Sequence, residues 1–207
     1  MFYKKVFLFV LSGFIFSSLS FATQTAFWRP YTADSFTYGL FHFNTPAFSD
    51  YSGNIKGVKI IGQVKYDSNG KFGGCAKFNG AGAIKYIPNA IFKGYQFSSN
   101  VSIEAWIKIS HYPKHLEYIV YRPATYKPSQ KKITNGFSLY INSKGGFSLS
   151  VTSTVNAPHG RVVTTSSPEG IIPLNKWVHI AGISDAGLAF RRLYLNSYCK
   201  NWPFPCH

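Results

Sequence analysis

The stretch KFGGCAKFNGAGAIKYIPN, residues 71–89, combines glycines with two short runs in which apolar and polar residues alternate. Alternation with a period of two is typical of β-strands that are buried on one side. We therefore predict two strands, CAKFNG and AIKYIPN, joined by a tight turn at Asn79 and Gly80, because Asn-Gly tolerates the positive φ angles of such turns. A phosphate-binding loop is not indicated, since no Gly-Lys-Ser or Gly-Lys-Thr follows the glycines.

The same pattern continues along the chain, where short aromatic and β-branched runs lie between turn sequences such as DYSGN, DSNGKFGG, NSKGG and SDAGL. This predicts an all-β fold, an antiparallel sandwich of two sheets. The segment 122–135 is polar, contains two prolines and is predicted as a long loop. The other predicted strands are YGLFHFN (38–44), VSIEAWIKI (101–109), EYIVYR (117–122), GFSLYIN (136–142), GFSLSVTS (146–153), GRVVTTSS (160–167), KWVHIAGIS (176–184) and RRLYLN (191–196).

The N-terminus has the pattern of a secretory signal peptide. Lys4 and Lys5 precede an apolar run over residues 6–16, and Ser20 and Ala22 are small residues placed before a cleavage point. We predict a signal peptide over 1–22 and a lead-in over 23–35, with the protein secreted, periplasmic or at the cell surface. The alternative is an uncleaved anchor, but the apolar run is short for a membrane span. No integral membrane span is predicted after signal cleavage.

The charge is strongly positive, with 22 lysine and arginine residues against seven acidic residues and a formal net charge of +15. Such a charge favours encounter with anionic partners but specifies none. The lysines are dispersed and form no long basic cluster. We predict a generally cationic surface, and no nucleic-acid partner is expected of an exported protein.

Three cysteines suggest one local disulfide. Cys199 and Cys206 are close enough in sequence to pair, whereas Cys75 follows two glycines and begins a predicted strand. Cys75 has no Cys or His near it at metal-ligand spacing, so we predict a small packed residue.

Four segments in this order resemble the laminin G-like domains of the concanavalin A-like lectin and glucanase superfamily. They are DYSGNIKG (50–57), GKFGGCAKFNGAGAIKYIPN (70–89), FSSNVSIEAWIKI (97–109) and PLNKWVHIAGISDAGLAFRRLYLN (173–196). The resemblance implies a two-sheet jelly roll over residues 36–196. It also implies structural roles for Gly73, Gly74, Phe78, Gly80, Trp106 and Trp177.

The C-terminal end departs from that family. The resemblance implies an Asn-Gly pair and further strands after LYLN, but Asn196 is followed by Ser197 and a tail rich in Cys, Pro and Trp over 197–207. We therefore expect a jelly roll that either lacks its last strands or ends divergently.

Catalytic residues are not indicated. The resemblance also implies what a catalytic member would contain. Glucanases of this superfamily use a motif such as Glu-x-Asp-x-x-Glu, which supplies two carboxylates for glycoside cleavage. Glu104, in SIEAWIK, has no carboxylate at i+2 or i+4, so we predict a solvated or salt-bridged side chain and no enzyme. His179 is predicted as a packed histidine. His111 and His115 have helical zinc-ligand spacing, but Pro113 opposes a helix there.

A structural calcium is the one cofactor that the resemblance implies, with Asp50 and its turn as half of a site. The alternative is that Asp50 caps its own turn through the amides of Ser52 and Gly53. No other cofactor is predicted.

Binding is the remaining function. Aromatic and basic side chains suit sugar stacking and anionic groups, and the predicted ligand contacts are Tyr112, His115, Tyr126, Lys127, Lys131 and Lys132. We predict a secreted, non-catalytic module that binds carbohydrate or an extracellular glycan or protein, with anionic partners included. The alternatives are a truncated or remnant structural surface protein without a ligand of its own and, third, a glycoside hydrolase.

Overall fold

The computed structural model describes residues 31–88, 100–124, 126–127, 132–133, 136–153, 161–185 and 190–196. Within these residues the strands pair only in antiparallel fashion and no helix is present, which confirms the predicted all-β antiparallel fold. The strands are β1 (Ile55–Asp67), β2 (Cys75–Pro88), β3 (Val101–Ile107), β4 (Glu117–Arg122), β5 (Tyr126–Lys127), β6 (Lys132–Ile133), β7 (Phe137–Ile141), β8 (Phe147–Ser153), β9 (Arg161–Ser166), β10 (Val178–Asp185) and β11 (Phe190–Leu195).

Several predictions fall outside the described residues. These are the signal peptide over 1–22, most of the lead-in, Lys131, and the tail over 197–207 with Cys199 and Cys206. Among the residues that are described, no helix has the length and apolar character needed to cross a bilayer.

The described residues divide into two compact units, an N-terminal unit over 31–88 and a C-terminal unit that runs from 100 to 196. In the N-terminal unit, β1 and β2 form a long two-stranded ribbon, and the predicted turn at 67–74 connects them. Strand β1 was not predicted, because glycines and lysines interrupt its alternation.

The predicted strand at 38–44 is wrong. A single bridge between Phe41 and Asp50 is the only strand-like pairing described there. Phe43 has a positive φ of 56°, a conformation that interrupts an extended strand.

The predicted turn at Asn79 and Gly80 is also wrong. Both halves of the segment belong to one strand, β2, because β1 pairs with both: Gly62 lies opposite Gly82 and Val64 opposite Phe78. The residues between form a bulge in which Gly80 has a φ of 84°. The Asn-Gly pair therefore supplies the predicted positive φ, but it serves a bulge and not a hairpin turn.

The C-terminal unit contains a three-stranded sheet in the order β11-β10-β3 and a four-stranded sheet in the order β4-β7-β8-β9. The sheets pack face to face, since a Cβ atom at Gly182 would lie 3.0 Å from Cβ of Leu149. Residues of both inner faces form a core that is almost fully removed from solvent: Val101, Ile103, Phe137, Leu139, Ile141, Phe147, Leu149, Val151, Val178, Ile180 and Leu193.

The predicted loop over 122–135 contains a short ladder. Strands β5 and β6 pair with Lys127 opposite Lys132. The hairpin turn predicted at NSKGG connects β7 to β8, with Asn142 Oδ1 accepting hydrogen bonds from the amides of Lys144 (2.9 Å) and Gly146 (3.0 Å).

Candidate ligand-binding face

The outward face of the four-stranded sheet carries hydroxyl and aromatic side chains. Along β7, Phe137, Leu139 and Ile141 point into the core, and alternation places Ser138 and Tyr140 on the other side. The pairing registers extend this side across the neighbouring strands. We call it the tyrosine face, and it consists of Tyr118, Tyr121, Ser138, Tyr140, Ser148, Ser150, Thr152, Val162, Thr164 and Ser166.

Three tyrosines form a cluster at one edge of this face. Tyr118 and Tyr121 are 53% and 59% exposed, and their ring centroids lie 4.7 Å apart. The ring of Tyr140 meets that of Tyr118 edge to face at 5.9 Å. Together the rings form a contiguous, solvent-facing aromatic surface.

A bulge in β4 makes this cluster. In a regular strand, residues three apart point to opposite faces. Here Tyr118 pairs with Tyr140 and Val120 pairs with Leu139, so Ile119 is an extra residue. Tyr121 then lies opposite Ser138 and reaches the same face as Tyr118.

Hydroxyl groups continue the face across β8 and β9. Oγ of Ser148 lies 2.9 Å from Oγ of Ser166, and Oγ of Ser150 lies 2.6 Å from Oγ1 of Thr164. Ser150 also donates a long hydrogen bond of 3.5 Å to the Tyr140 hydroxyl. Ser138 and Ser148 are almost fully buried, at 7% and 2% exposure, whereas Thr164 and Ser166 are exposed. Because a hydroxyl both donates and accepts, the exposed hydroxyls of β9 supply polar atoms on the same face as the aromatic surface. The side chains that define the face carry no formal charge.

Comparison with known proteins identifies a family. A laminin G family model, described as the concanavalin A-like lectin/glucanase superfamily, matches residues 79–198. The chain belongs to this superfamily. The matched region begins within β2 and includes both sheets of the C-terminal unit, which confirms the resemblance drawn from the sequence. No curated protein and no solved structure matches significantly.

The residues predicted as ligand contacts lie in different local surroundings. The Tyr112 hydroxyl donates to the Ile172 carbonyl at 3.0 Å, and its ring packs so closely on Gly145 that a Cβ atom there would lie 2.5 Å away. Tyr112 therefore has a structural role. His115 is exposed, and the backbones of Tyr126, Lys127 and Lys132 form the β5–β6 ladder.

The Glu104 side chain contacts a histidine on the neighbouring strand. Its Oε2 atom lies 2.9 Å from Nε2 of His179, and the two side chains are only 13% and 5% exposed. Trp106 lies directly opposite His179 in the ladder, with ring centroids 5.3 Å apart. The structure thus pairs Glu104 with His179 and confirms that His179 is packed, at 4% exposure. Trp106 and Trp177 are half-buried.

The Asp50 carboxylate is surrounded by hydrogen-bond donors. Oδ1 accepts from the amides of Leu40 (2.8 Å) and Ser52 (3.0 Å). Oδ2 accepts from the Ser52 hydroxyl (2.7 Å) and from the amides of Asn54 and Ile55 (3.1 Å each). A calcium ion needs oxygen atoms on all sides, and here donor hydrogens occupy the carboxylate, so these residues do not fit the ion. Nor do the described residues contain a cluster of three metal-ligating side chains.

The glycine stretch that identifies the family is partly packed and partly exposed. At Gly74, a Cβ atom would lie 2.4 Å from the Tyr66 ring, and Gly73 has a φ of 119°. Phe78, predicted to be structural, is instead 49% exposed, because it lies in a two-stranded ribbon opposite Val64. Cys75 is half-buried at the start of β2.

The tyrosine face was missed by sequence reasoning. EYIVYR shows two tyrosines three residues apart, a spacing that predicts opposite faces in a regular strand. The two tyrosines could have indicated a binding surface. No sequence pattern, however, indicates that Ile119 forms a bulge and brings them to one face.

Proposed function

We propose that this protein is a secreted, non-catalytic module that binds carbohydrate through its tyrosine face. The observation that carries the proposal is the exposed ring cluster of Tyr118, Tyr121 and Tyr140 beside rows of serine and threonine hydroxyls. A sugar ring has an apolar face of C–H groups and a rim of hydroxyls. Tyrosine rings suit the first, since they supply rigid apolar area, and oriented hydroxyls suit the second.

The absence of formal charge on this face favours a neutral sugar. The chain as a whole is strongly basic, yet the side chains that define the tyrosine face are tyrosine, serine, threonine and valine. Binding there should depend on contact area and hydrogen bonds, and Debye screening weakens such contacts little.

A binding role is supported further by the state of Glu104. Glycoside hydrolysis uses two carboxylates placed on either side of the scissile bond. Glu104 is engaged with His179 at 2.9 Å, in a nearly solvent-free pair. At 13% exposure, little of the Glu104 side chain can reach a substrate.

Export is part of the proposal and rests on residues 1–22, whose charged start, apolar centre and small residues have the signal-peptide pattern. A glycan or an extracellular protein is the proposed partner class.

The test is a glycan array with the chain beginning at Thr23, read at about 0.1 M and about 1 M salt. We expect defined neutral glycans to bind at both salt concentrations. The variant Tyr118→Ala/Tyr121→Ala is expected to weaken binding at least tenfold, the effect of about 1.4 kcal/mol.

The matched control is Tyr51→Ala/Phe78→Ala, which removes two aromatic side chains of similar exposure, 48% and 49%, from the N-terminal unit. It should bind like the wild type. Equal loss in both variants, or binding that disappears entirely at high salt, contradicts the proposal. If no glycan binds, the structural-protein alternative is favoured, and release of reducing sugar would favour the hydrolase.

A further inference from the structure

The β1–β2 ribbon places lysines directly opposite lysines. Lys59 pairs with Lys85, and Lys65 pairs with Lys77, in the antiparallel register. Directly opposed residues have Cα atoms about 4.5–5.5 Å apart. All four lysines are exposed, and none of them pairs with an acidic side chain in the part of the chain that the structure describes.

Both lysine pairs lie on the same face of the ribbon. Tyr86 follows Lys85, and its ring stacks on Phe41 at 3.9 Å. Tyr66 follows Lys65, and its hydroxyl donates to the Asn44 carbonyl at 3.1 Å. The tyrosine side of the ribbon therefore faces the 41–44 segment at both ends, and alternation places the lysines on the opposite, solvent-facing side. We call this side the lysine ribbon.

This arrangement costs stability in the free protein. Like charges directly opposite each other in a ladder repel and destabilise the pairing. The repulsion is relieved when an anion lies between them, so each pair is a ready site for a carboxylate or sulfate group. Lys59 and Lys65 are six residues apart, which separates the pairs by about 20 Å along the strand.

Amide groups lie between the two pairs. At the bulge, Asn79 Nδ2 donates to Gln63 Oε1 at 2.9 Å, and both side chains are exposed. Amides donate and accept hydrogen bonds to hydroxyls. Alternation also places Ile61, which is 47% exposed, between Lys59 and Gln63 on this side, and Asp67 two residues beyond Lys65. The two lysine pairs are therefore separated by the amide groups and one apolar side chain, and an acidic residue lies beyond the second pair.

We propose that the lysine ribbon binds a linear acidic polysaccharide, with its anionic groups at the two lysine pairs and uncharged hydroxyls at Gln63 and Asn79. A two-stranded ribbon is strongly twisted, so the pairs follow a twisted path that a flexible linear polymer can track better than a flat bilayer. Amides between the pairs likewise favour a hydroxyl-bearing chain over a lipid surface. Lys59, Lys65 and Lys77 precede the family match that begins at residue 79.

The inference does not depend on the neutral-sugar site proposed above, because it uses another unit and other residues. The test measures binding of the chain from Thr23 to hyaluronan, which is carboxylated, dextran sulfate, which is sulfated, and neutral dextran. Duplex DNA and phosphatidylglycerol vesicles serve as the competing polyanions. Titrations run at about 50 mM and about 500 mM salt.

The test variant is Lys59→Gln/Lys65→Gln/Lys77→Gln/Lys85→Gln. The charge-matched control is Lys108→Gln/Lys114→Gln/Lys144→Gln/Lys176→Gln, which removes four exposed lysines from the C-terminal unit. We expect the acidic polysaccharides to bind the wild type and the control, and the test variant to lose roughly tenfold or more in affinity with a shallower salt dependence. Comparison of the affinities for hyaluronan and dextran sulfate shows whether carboxylate or sulfate groups bind more tightly.

The test variant should fold, because it removes repulsion, and an unchanged or raised Tm checks this. Equal losses in test variant and control overturn the proposal, since general charge would explain them. Tighter binding of DNA or vesicles than of either acidic polysaccharide also overturns it and assigns the ribbon to that partner. The Tyr118→Ala/Tyr121→Ala variant should retain polyanion binding, so the two sites are judged separately.

Discussion

Glu104 and His179 are paired side chain to side chain across β3 and β10, with Oε2 and Nε2 2.9 Å apart and both side chains nearly excluded from water. Removing one partner leaves the other buried without compensation, at a cost of about 1–3 kcal/mol for a neutral histidine and about 3–5 kcal/mol for a charged one. Glu104→Gln is expected to lower the free energy of unfolding by that amount, measured by urea titration of tryptophan fluorescence, because Trp106 lies beside the pair.

The control for this prediction is Glu169→Gln. Glu169 is also 2.9 Å from its partner, Lys144, but the two side chains are 59% and 67% exposed. An exposed pair contributes about 0–1 kcal/mol. Similar losses in the two variants would show that burial does not set the strength of the Glu104 pair.

Asp50 should be essential for the turn between residues 50 and 55. Asp50→Asn replaces an acceptor that receives five hydrogen bonds with an amide whose NH₂ group faces donors, and we expect a loss of roughly 2–4 kcal/mol. Because donors fill the carboxylate, adding calcium or a chelator should leave the Tm of the wild type unchanged. A calcium-dependent rise in Tm would contradict this assignment.

Gly145 should tolerate alanine less well than Gly170. Both have positive φ, 77° and 70°, but a Cβ atom at Gly145 would lie 2.5 Å from the Tyr112 ring, whereas nothing lies within 4 Å at Gly170. Gly170→Ala should cost about 1–2 kcal/mol for the backbone alone. Gly145→Ala should cost about 1–3 kcal/mol more, since the ring must move. Denaturant titration of both variants gives the difference, and equal costs would argue against the packing of Tyr112.

Tyr86 should limit stability at alkaline pH. Burial, and then the negative charge of Asp50, raises the pKa of Tyr86 well above its usual value. Its hydroxyl is buried and has no hydrogen-bond partner among the described residues. Below about pH 10 the folded and unfolded chains both keep the proton, so the group adds no pH dependence there. Above about pH 10 the unfolded chain loses the proton first, and stability falls as pH rises.

Tyr86→Phe should therefore flatten the alkaline limb of a stability curve measured from about pH 8 to about pH 11. At neutral pH it should leave the free energy of unfolding unchanged or raise it by about 1 kcal/mol, since it removes an unsatisfied polar group. Tyr118→Phe removes an exposed hydroxyl and should have no effect at pH 7. A clearly destabilised Tyr86→Phe would indicate a hydrogen bond to the hydroxyl.

Regular alternation predicted most of the C-terminal unit. Strands such as VSIEAWI and FSLYI have one apolar and one polar side, and the turn NSKGG has side chains that satisfy its own backbone. These features are local. The packing of His179 also followed from its place in the apolar run KWVHIAGIS.

Long-range pairing could not be predicted in the same way. Asn79 and Gly80 have turn chemistry, and only the presence of β1 alongside both halves of β2 makes the site a bulge. The opposition of Lys59 to Lys85 is likewise a property of register. A sequence lists residues in order, whereas register depends on which distant strand supplies the partner.

The extra residue at position 119 means that the length of strand β4, and not only its composition, determines whether Tyr118 and Tyr121 share one face. Deleting Ile119 would leave every tyrosine, serine and threonine of the tyrosine face in the protein. The deletion would nevertheless restore regular alternation in β4, so that either Tyr118 or Tyr121 would face the core. Related chains could therefore gain or lose this exposed tyrosine cluster through a single-codon insertion or deletion, without any substitution.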